Sequence, residues 1–218
     1  MDYGNRHQDG QPVTKAFHAI RHGVETMTIR QATIGDAPHL ARFAIKAHGG
    51  YNEAIYEGLV PDQSIKSVLE PSYSQSGVTA FYENHWIDEQ DGRVAGGMHA
   101  FSFDDWANDP LDPRIPEERY TIVQPFHNLP APGTYHVNAL ATYPEFCRRG
   151  IAWSLLSLAC GHAREKQFSE ISLYVFADNV GALALYEKMG FKVVGREPII
   201  EHPLVLYTGE VFLMTSTL

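Results

Sequence analysis

The sequence predicts an α/β protein built on a mixed β-sheet, and two local patterns carry that prediction. Residues 135–142, 151–166 and 171–176 have the apolar periodicities of a strand, a helix and a second strand. That order makes a right-handed parallel βαβ unit. Residues 85–88 and 94–103 resemble two strands joined by a turn at Asp91-Gly92, which is typical of an antiparallel hairpin. A sheet that holds both units has parallel and antiparallel neighbours.

The other elements follow from shorter patterns on either side of these units. A helix with Pro38 in its first turn is predicted over 37–47. Asp178 and Gly190 mark the start and the end of another helix over 180–189. Weaker patterns favour helices at 51–59, 61–69 and 116–123, and strands at 27–30, 191–194 and 211–215.

Composition indicates one domain with an acidic surface. The chain has 218 residues, of which 44% are hydrophobic, and this is enough for a single core. We expect one domain over residues 27–218, preceded by a polar extension at 1–26. Six of the thirteen prolines fall in 104–134, which predicts an irregular insertion there.

Several function classes are excluded by composition and by missing motifs. A net charge of −9 without a basic run argues against a nucleic-acid partner. No apolar run approaches the ~20 residues that span a bilayer, so we expect no membrane contact. The two cysteines, Cys147 and Cys160, indicate a reducing compartment and hence a cytoplasmic protein. The P-loop and dinucleotide motifs are missing, and so is the spacing of zinc ligands, so we expect no metal site.

A candidate anion site lies where the first helix of the βαβ unit begins. The run Cys147-Arg148-Arg149-Gly150-Ile151-Ala152 places two arginines and two small residues around the first turn. Unpaired backbone N–H groups at a helix start bind phosphate, so the run suits a pyrophosphate. The alternative is an ordinary solvated helix start.

Two polar residues of the second predicted helix lie on the same side of it. Asn179 and Tyr186 are seven residues, or two helical turns, apart. Both helices begin at the carboxyl ends of neighbouring parallel strands, so the amide and the phenol would face the anion site. Alternatively, Asn179 only caps its helix and Tyr186 belongs to the core.

Together, the two runs resemble the GNAT superfamily of N-acetyltransferases. Residues 140–152, LATYPEFCRRGIA, are similar to the acetyl-CoA motif of that family, and residues 179–191, NVGALALYEKMGF, to its usual sequel. The resemblance extends more weakly to residues 27–47 and to the 84–103 hairpin. It implies a sheet splayed at a bulge between the two parallel strands, helices on both faces, and acetyl-CoA as co-substrate in the gap.

The resemblance also implies a role for individual residues. Backbone groups of Leu140, Ala141 and Thr142 would hydrogen-bond the pantetheine and the acetyl carbonyl. Asn179 would bind the pantetheine, and Tyr186 would lie near the sulfur and protonate the departing thiolate. Backbone N–H groups would hold the pyrophosphate along Arg148, Arg149, Gly150, Ile151, Ala152 and Trp153.

One position departs from the family pattern. The family usually has Arg or Gln where this chain has Cys147. We expect this change to weaken phosphate binding without abolishing it, because backbone groups supply most of the cradle. A catalytic thiol at this position is the alternative.

Acyl transfer to an amine also needs a base, because most amines are protonated at pH 7. Period-two alternation predicts that His136, Asn138 and Leu140 share one face of their strand. A glutamate takes the place of His136 in some histone acetyltransferases of the family. An imidazole with a pKa of about 6.5 suits the task, so His136 is the preferred base, ahead of Tyr135 and Glu83. The alternative is a hydrogen-bonded histidine without a role.

The leading hypothesis is an enzyme that transfers the acetyl group of acetyl-CoA to a primary amine. The amine, on a small molecule or a peptide, would attack directly in a ternary complex. One alternative is a catalytically silent sensor or regulatory module that binds CoA or acyl-CoA with the same fold. A plain interaction domain would make both motifs coincidental. The edge-like strand at 211–215 is compatible with a homodimer.

Overall fold

A computed structural model describes residues 17–22, 25–106 and 108–218 of the chain. Residues 1–16, 23 and 24 of the predicted extension lie outside the described residues. The described residues form eight strands: β1 Phe17–His22, β2 Glu25–Gln31, β3 His85–Gln90, β4 Arg93–Ser102, β5 Tyr135–Thr142, β6 Glu170–Phe176, β7 Lys192–Pro198 and β8 Glu210–Thr217. The helices are α1 Ala37–His48, α2 Tyr51–Tyr56, α3 Ile65–Leu69, α4 Phe103–Trp106, α5 Gln124–His127, α6 Ile151–Glu165 and α7 Val180–Lys188.

The strands form one mixed sheet, in the order β1-β2-β3-β4-β5-β6-β8-β7. Within the described strands, β5 and β6 are the parallel pair and the other neighbours are antiparallel. The predicted mixed sheet is therefore confirmed. The structure also shows that β1, which lies within the predicted extension, pairs with β2 at the edge of the sheet.

The hairpin of β3 and β4 forms where the sequence predicts it. Asp91 and Gly92 have φ of 49° and 73°, the left-handed conformations that a tight two-residue hairpin turn requires. The hairpin extends the antiparallel half of the sheet up to β5.

Helices cover both faces of the sheet, as predicted. On one face, α6 buries an apolar stripe against β4, β5 and β6; its buried residues are Ile151, Leu155, Leu156, Ala159 and Ala163. On the other face, α1 buries Leu40 and Phe43 against Ile87 and Ala141. The Phe43 ring lies where a side chain on Gly97 would be, so this glycine lets α1 approach the sheet closely.

The proline-rich insertion is part of the core. Ile122, Leu129 and Ala131 are buried with Phe103 of α4, and they pack against the half of the sheet that holds β6 and β8. Two short helices, α4 and α5, and a 3₁₀ helix at Glu117–Val123 occupy the insertion, which the sequence predicted as irregular with one helix. Apolar residues between the prolines explain this packing.

The sheet opens between its two parallel strands. β5 and β6 pair only from Tyr135 opposite Ile171 to Val137 opposite Leu173. On its other side, β5 has Val137 opposite Ala100 and Ala139 opposite His99, so Asn138 is an extra residue in the ladder, a β-bulge. Past this bulge β5 no longer pairs with β6, and a gap between the strands follows.

Candidate active site

The backbone of β5 supplies polar groups to the gap. Tyr143 donates its N–H to Ala95 of β4, so by strand alternation the backbone of Ala141 also faces β4. The backbone groups of Leu140 and Thr142 therefore point into the gap. Lys46 of α1 donates to the Thr142 carbonyl at 2.6 Å, which leaves the N–H of that residue for a ligand.

The loop before α6 has the geometry of an anion site. Arg148 and Gly150 both have left-handed backbones, with φ of 66° and 82°. A Cβ added to Gly150 would have no atom within 4 Å, so the loop is open above this residue. The hydrogen bond from Ser154 N to Gly150 O, 3.0 Å long, joins the start of α6 to this loop. The N–H groups of the turn before Ser154, from 151 to 153, are thus free to bind phosphate.

Side chains around the start of α6 add positive charge. The Arg149 guanidinium lies 5.4 Å from the Phe146 ring centroid, and the Lys188 ammonium of α7 lies 5.4 Å from the Trp153 ring. Trp153 is 40% exposed, and Cys147 is an exposed free thiol with its Sγ 3.5 Å from the Tyr143 carbonyl. Cationic groups here favour a polyanionic ligand on an otherwise acidic protein.

Tyr186 and Asn179 lie on α7, at the β6 side of the gap. Tyr186 is 8% exposed, and burial, with a smaller effect of Tyr207, raises the pKa of its phenol to about 12. Asn179 caps α7, because its Oδ1 accepts from Ala182 N at 3.3 Å. Its Nδ2 donates to the Tyr207 hydroxyl at 3.2 Å. Asn179 therefore does act as a cap, and one of the two N–H groups of its Nδ2 is donated to Tyr207.

The loop between β7 and β8 closes over this end of the gap. The Tyr207 ring stacks on Phe176 at 4.1 Å, and it also occupies the space that a side chain on Gly49 would need. Leu206 N donates to Gly49 O at 2.9 Å. The turn between α1 and α2 and the β7–β8 loop thus touch each other across the two halves of the sheet. Sequence patterns do not predict this contact, because none of them links a glycine pair to a distant tyrosine.

His136 is the middle one of the three β5 residues that pair with β6, and its surroundings differ from the expectation. It is fully buried, and Nδ1 lies 2.9 Å from Ser172 Oγ. Its Nε2 has no hydrogen-bond partner among the described residues. Burial, with a smaller contribution from His99, lowers the pKa of His136 to about 3. The expected pKa of about 6.5 is therefore wrong, because solvent does not reach the ring.

The predicted face of β5 is also wrong for one residue. His136 packs among aromatic rings of the insertion side, whereas Leu140 packs with the cluster under α6 on the opposite face. The bulge at Asn138 adds one residue and shifts the alternation from that point on.

A buried histidine network at the bulge was missed by sequence reasoning. Asn138 Nδ2 lies 3.1 Å from His99 Nδ1 and 3.5 Å from His48 Nε2. His99 Nε2 lies 2.8 Å from the Thr79 carbonyl. Burial lowers the pKa of His99 to about 4 and also lowers the pKa of His48. The one available signal was the polar residue within an apolar strand, and it does not identify partners from other elements.

The described residues fit acetyl-CoA. The gap offers the backbone of Leu140 and Thr142, and the α6 start offers N–H groups beside the two arginines. The open space above Gly150 can admit a phosphate. Within the described ranges, no group of three or more His, Cys, Asp and Glu side chains is arranged to hold a metal ion. Nor is any helix of the described chain long and apolar enough to cross a membrane.

A mixed sheet that opens at a bulge, next to a helix start with free N–H groups, is the architecture that the resemblance to GNAT N-acetyltransferases implies. A family model described as "Acetyltransferase (GNAT) family" matches residues 53–191. The chain belongs to this family.

Individual relatives agree with the family assignment. The chain is 30% identical over 138 residues to a mycothiol acetyltransferase of Corynebacterium glutamicum, a match that covers 62% of this chain and 46% of the relative. It is 31% identical over 111 residues to human N-acetyltransferase 8, covering 51% and 39%. These matches thus span less than half the length of either relative. A solved N-acetyltransferase from Staphylococcus aureus Mu50 shares the fold, with a TM-score of 0.61 and 24% identity over 86% of this chain and 98% of that one.

Proposed function

We propose that the protein transfers the acetyl group of acetyl-CoA to a primary amine, which attacks directly within a ternary complex. The observation that carries the proposal is the separation of β5 from β6 after Val137, which leaves backbone groups of Leu140 and Thr142 facing an open gap. Bound there, acetyl-CoA supplies an activated thioester carbonyl. The arrangement of the α6 start beside the same gap supports a ligand that carries phosphates.

The cofactor would be held mainly by backbone. Leu140 and Thr142 would hydrogen-bond the pantetheine, while Ala141, whose backbone faces β4, packs against α1. Residues 148–153 would hold the pyrophosphate through N–H groups. Asn179 would contribute the second N–H of its Nδ2, since the first is donated to the Tyr207 hydroxyl. Because these contacts are mostly main-chain, Cys147 in place of Arg or Gln is tolerable.

Tyr186 would protonate the leaving sulfur. The electron pair of the C–S bond leaves with sulfur, and the phenol proton neutralises it. A pKa of about 12 keeps the Tyr186 phenol protonated throughout the physiological range, so the proton is always available. The phenol regains a proton from solvent after the products leave.

His136 would accept the proton that the amine loses. As the amine lone pair forms the C–N bond, one N–H proton passes to Nε2, the nitrogen without a partner. His136 returns this proton to solvent when the products leave, which balances the proton that Tyr186 takes up. A pKa of about 3 is too low to deprotonate an ammonium ion beforehand. The acceptor would therefore react as its neutral amine, and the acid limb of the rate profile would follow the pKa of each acceptor.

The proposal extends to partners and location. The acceptor is an amine on a small molecule or a peptide, and its pocket would be lined by α2 and the 104–134 insertion. Both cysteines are free thiols, which supports a reducing, cytoplasmic location. A homodimer stays a prediction.

Binding and turnover test the proposal separately. Acetyl-CoA and desulfo-CoA should raise the melting temperature, whereas ATP should not. Release of the CoA thiol should then appear with at least one member of a panel of polyamines, aminoglycosides and peptides. Binding without thiol release on any acceptor would favour the silent sensor module, and the lack of a thermal shift with either CoA compound would refute both hypotheses.

A further inference from the structure

We propose that Ser172 and Thr134 are positioning residues that hold His136 in one tautomer, with the proton on Nδ1 and the lone pair on Nε2. The inference deepens the proposed function, since it concerns the group that would accept the amine proton. Neither hydroxyl would touch the substrate. Both would act through the imidazole.

Three short contacts in series connect the Ala131 carbonyl to the His136 imidazole. Thr134 Oγ1 donates to the carbonyl of Ala131 at 2.7 Å. Thr134 Oγ1 and Ser172 Oγ lie 2.6 Å apart, and Ser172 Oγ lies 2.9 Å from His136 Nδ1. Each contact is short enough to be a hydrogen bond and therefore needs one proton between its two atoms.

Counting protons fixes their direction. The Ala131 carbonyl can only accept a hydrogen bond, so Thr134 donates its single hydroxyl proton to that carbonyl. The contact between Thr134 and Ser172 must then use the proton of Ser172. No hydroxyl proton remains for the last contact, so His136 donates from Nδ1. A neutral imidazole has one N–H, and its Nε2 is consequently an acceptor.

The surroundings keep this assignment in place. Ser172 and His136 are fully buried and Thr134 is 4% exposed, so bulk water does not compete for these bonds. The buried imidazole is neutral. Ser172 lies opposite His136 in the short parallel pairing of β5 with β6, so backbone hydrogen bonds hold the two residues in register.

The free nitrogen lies in an aromatic shell at the closed end of the gap. The rings of Phe103, Trp106 and Tyr174 lie 5.4, 6.4 and 5.0 Å from the imidazole, measured between centroids. Ring faces and edges do not satisfy a nitrogen lone pair, and Nε2 has no partner among the described residues. A buried acceptor that is left unpaired is costly, so an amine N–H that reaches Nε2 gains a hydrogen bond there.

The tautomer can be observed without any activity. Long-range ¹H–¹⁵N NMR of the ¹⁵N-histidine protein should show His136 with a protonated Nδ1 and an unprotonated Nε2 at neutral pH. The resonances are assigned by their loss in His136→Gln. Ser172→Ala removes the acceptor of Nδ1, so a second population with the proton on Nε2 should appear. Wild-type protein with the proton on Nε2, or with a charged ring, would overturn the inference.

Kinetics test the consequence for acetyl transfer. Ser172→Ala should lower kcat by about 10- to 100-fold and leave the KM for acetyl-CoA unchanged, because only proton transfer is impaired. Ser172→Thr keeps the hydroxyl and should restore most of the loss. Ser216→Ala, which changes a serine of the neighbouring strand β8, is the matched control and should keep wild-type rates. If the wild type acetylates an amine and Ser172→Ala has the same kcat, the inference is overturned and the proposed function is left intact.

The two proposals fail in different ways. Protein that shows the expected tautomer but acetylates no amine contradicts the proposed function alone. If Ser172→Ala does not fold, Thr134→Val tests the same series of hydrogen bonds at the next residue. Without the Thr134 hydroxyl, Ser172 is free to donate its proton to His136 Nδ1 instead. This variant should show the mixed tautomer, and an unchanged pattern there contradicts the inference.

Discussion

Asn138 of β5 contacts His99 of β4 through a 3.1 Å hydrogen bond at the residue where the two strands change register. His99 Nε2 is bonded to the Thr79 carbonyl, which only accepts, so Nε2 carries the proton and Nδ1 accepts from Asn138. His48 of α1 lies 3.5 Å from the same amide. A hydrogen bond with an assigned donor and acceptor thus connects the bulge, which opens the gap, to β4.

Loss of this bond should destabilise the protein. In Asn138→Ala the buried Nδ1 of His99 loses its donor, and we expect the free energy of unfolding to fall by about 1–3 kcal/mol. Asn128→Ala is the control, because Asn128 makes an exposed bond to Glu197 and should change stability by less than about 0.5 kcal/mol. Urea unfolding measures both. Equal stabilities of the two variants would show that the bulge does not depend on Asn138.

A matched pair of glycines tests the phosphate loop. Gly150 and Gly77 have φ of 82° and 84°, and a Cβ on either would meet no atom within 4 Å. Alanine at each position should therefore cost the same, about 1 kcal/mol of backbone strain. Only Gly150→Ala should also weaken acetyl-CoA binding, because it distorts the start of α6. Titration calorimetry on both variants decides this, and equal affinities would place the phosphates elsewhere.

Tyr186→Phe should separate binding from chemistry. The ring packing in the core is kept, so stability and the affinity for acetyl-CoA should stay near wild type. Without the phenol proton, kcat should fall by about 100-fold or more. Tyr73→Phe, at a buried tyrosine in the α1 cluster, is the control and should retain activity. Steady-state thiol release gives the answer, and full activity in Tyr186→Phe would exclude the proton-donor role.

Buried histidines should make the protein sensitive to mild acid. The pKa of His99 is about 4 and that of His136 about 3, both below about 6.5 in the unfolded chain. Between the folded and the unfolded pKa, the unfolded chain binds more protons than the folded protein. The histidines therefore contribute their full stability above pH 6.5, and this contribution is lost as the pH falls. Each histidine contributes about 1.4 kcal/mol per pH unit in that range.

One carboxyl group acts in the opposite direction. Burial raises the pKa of Asp88 to about 6, so the folded state takes up its proton first and gains stability on acidification. The two histidines outweigh this gain, and we expect a net loss of about 2 kcal/mol or more between pH 7 and pH 5. Denaturant titrations at both values test the sum. His99→Gln should reduce the loss, and stability that is constant over this range would contradict the prediction.

The regular elements could be predicted because their signals are local. Alternating apolar residues define β5 over Tyr135–Thr142, and the structure gives the same bounds. The helix start at Gly150 and the mixed sheet also follow from short-range patterns. A bulge is different: one extra residue in an eight-residue strand leaves no periodic trace, so the sequence placed Leu140 on the wrong face.

The hydrogen-bonded pairs could not be predicted, since each joins distant parts of the chain. Ser172 is 36 residues from His136, and Asn138 is 39 residues from His99. Their contacts follow from sheet order and register, which depend on the whole fold. The lowered pKa of His136 also follows from burial under the insertion, which its prolines predicted only as irregular.

The position of β8 inside the sheet has a consequence for biosynthesis. β8 is made after the other seven described strands, yet it lies between β6 and β7 and pairs with both. While the ribosome has not yet released Glu210–Thr217, the growing chain exposes the open edge of the apolar strand β6. Ser172 pairs with Thr215 of β8, so the strand that carries Ser172 gains its second neighbour only after β8 has been released. Translation that stops before Glu210 therefore yields an aggregation-prone chain rather than a weaker enzyme.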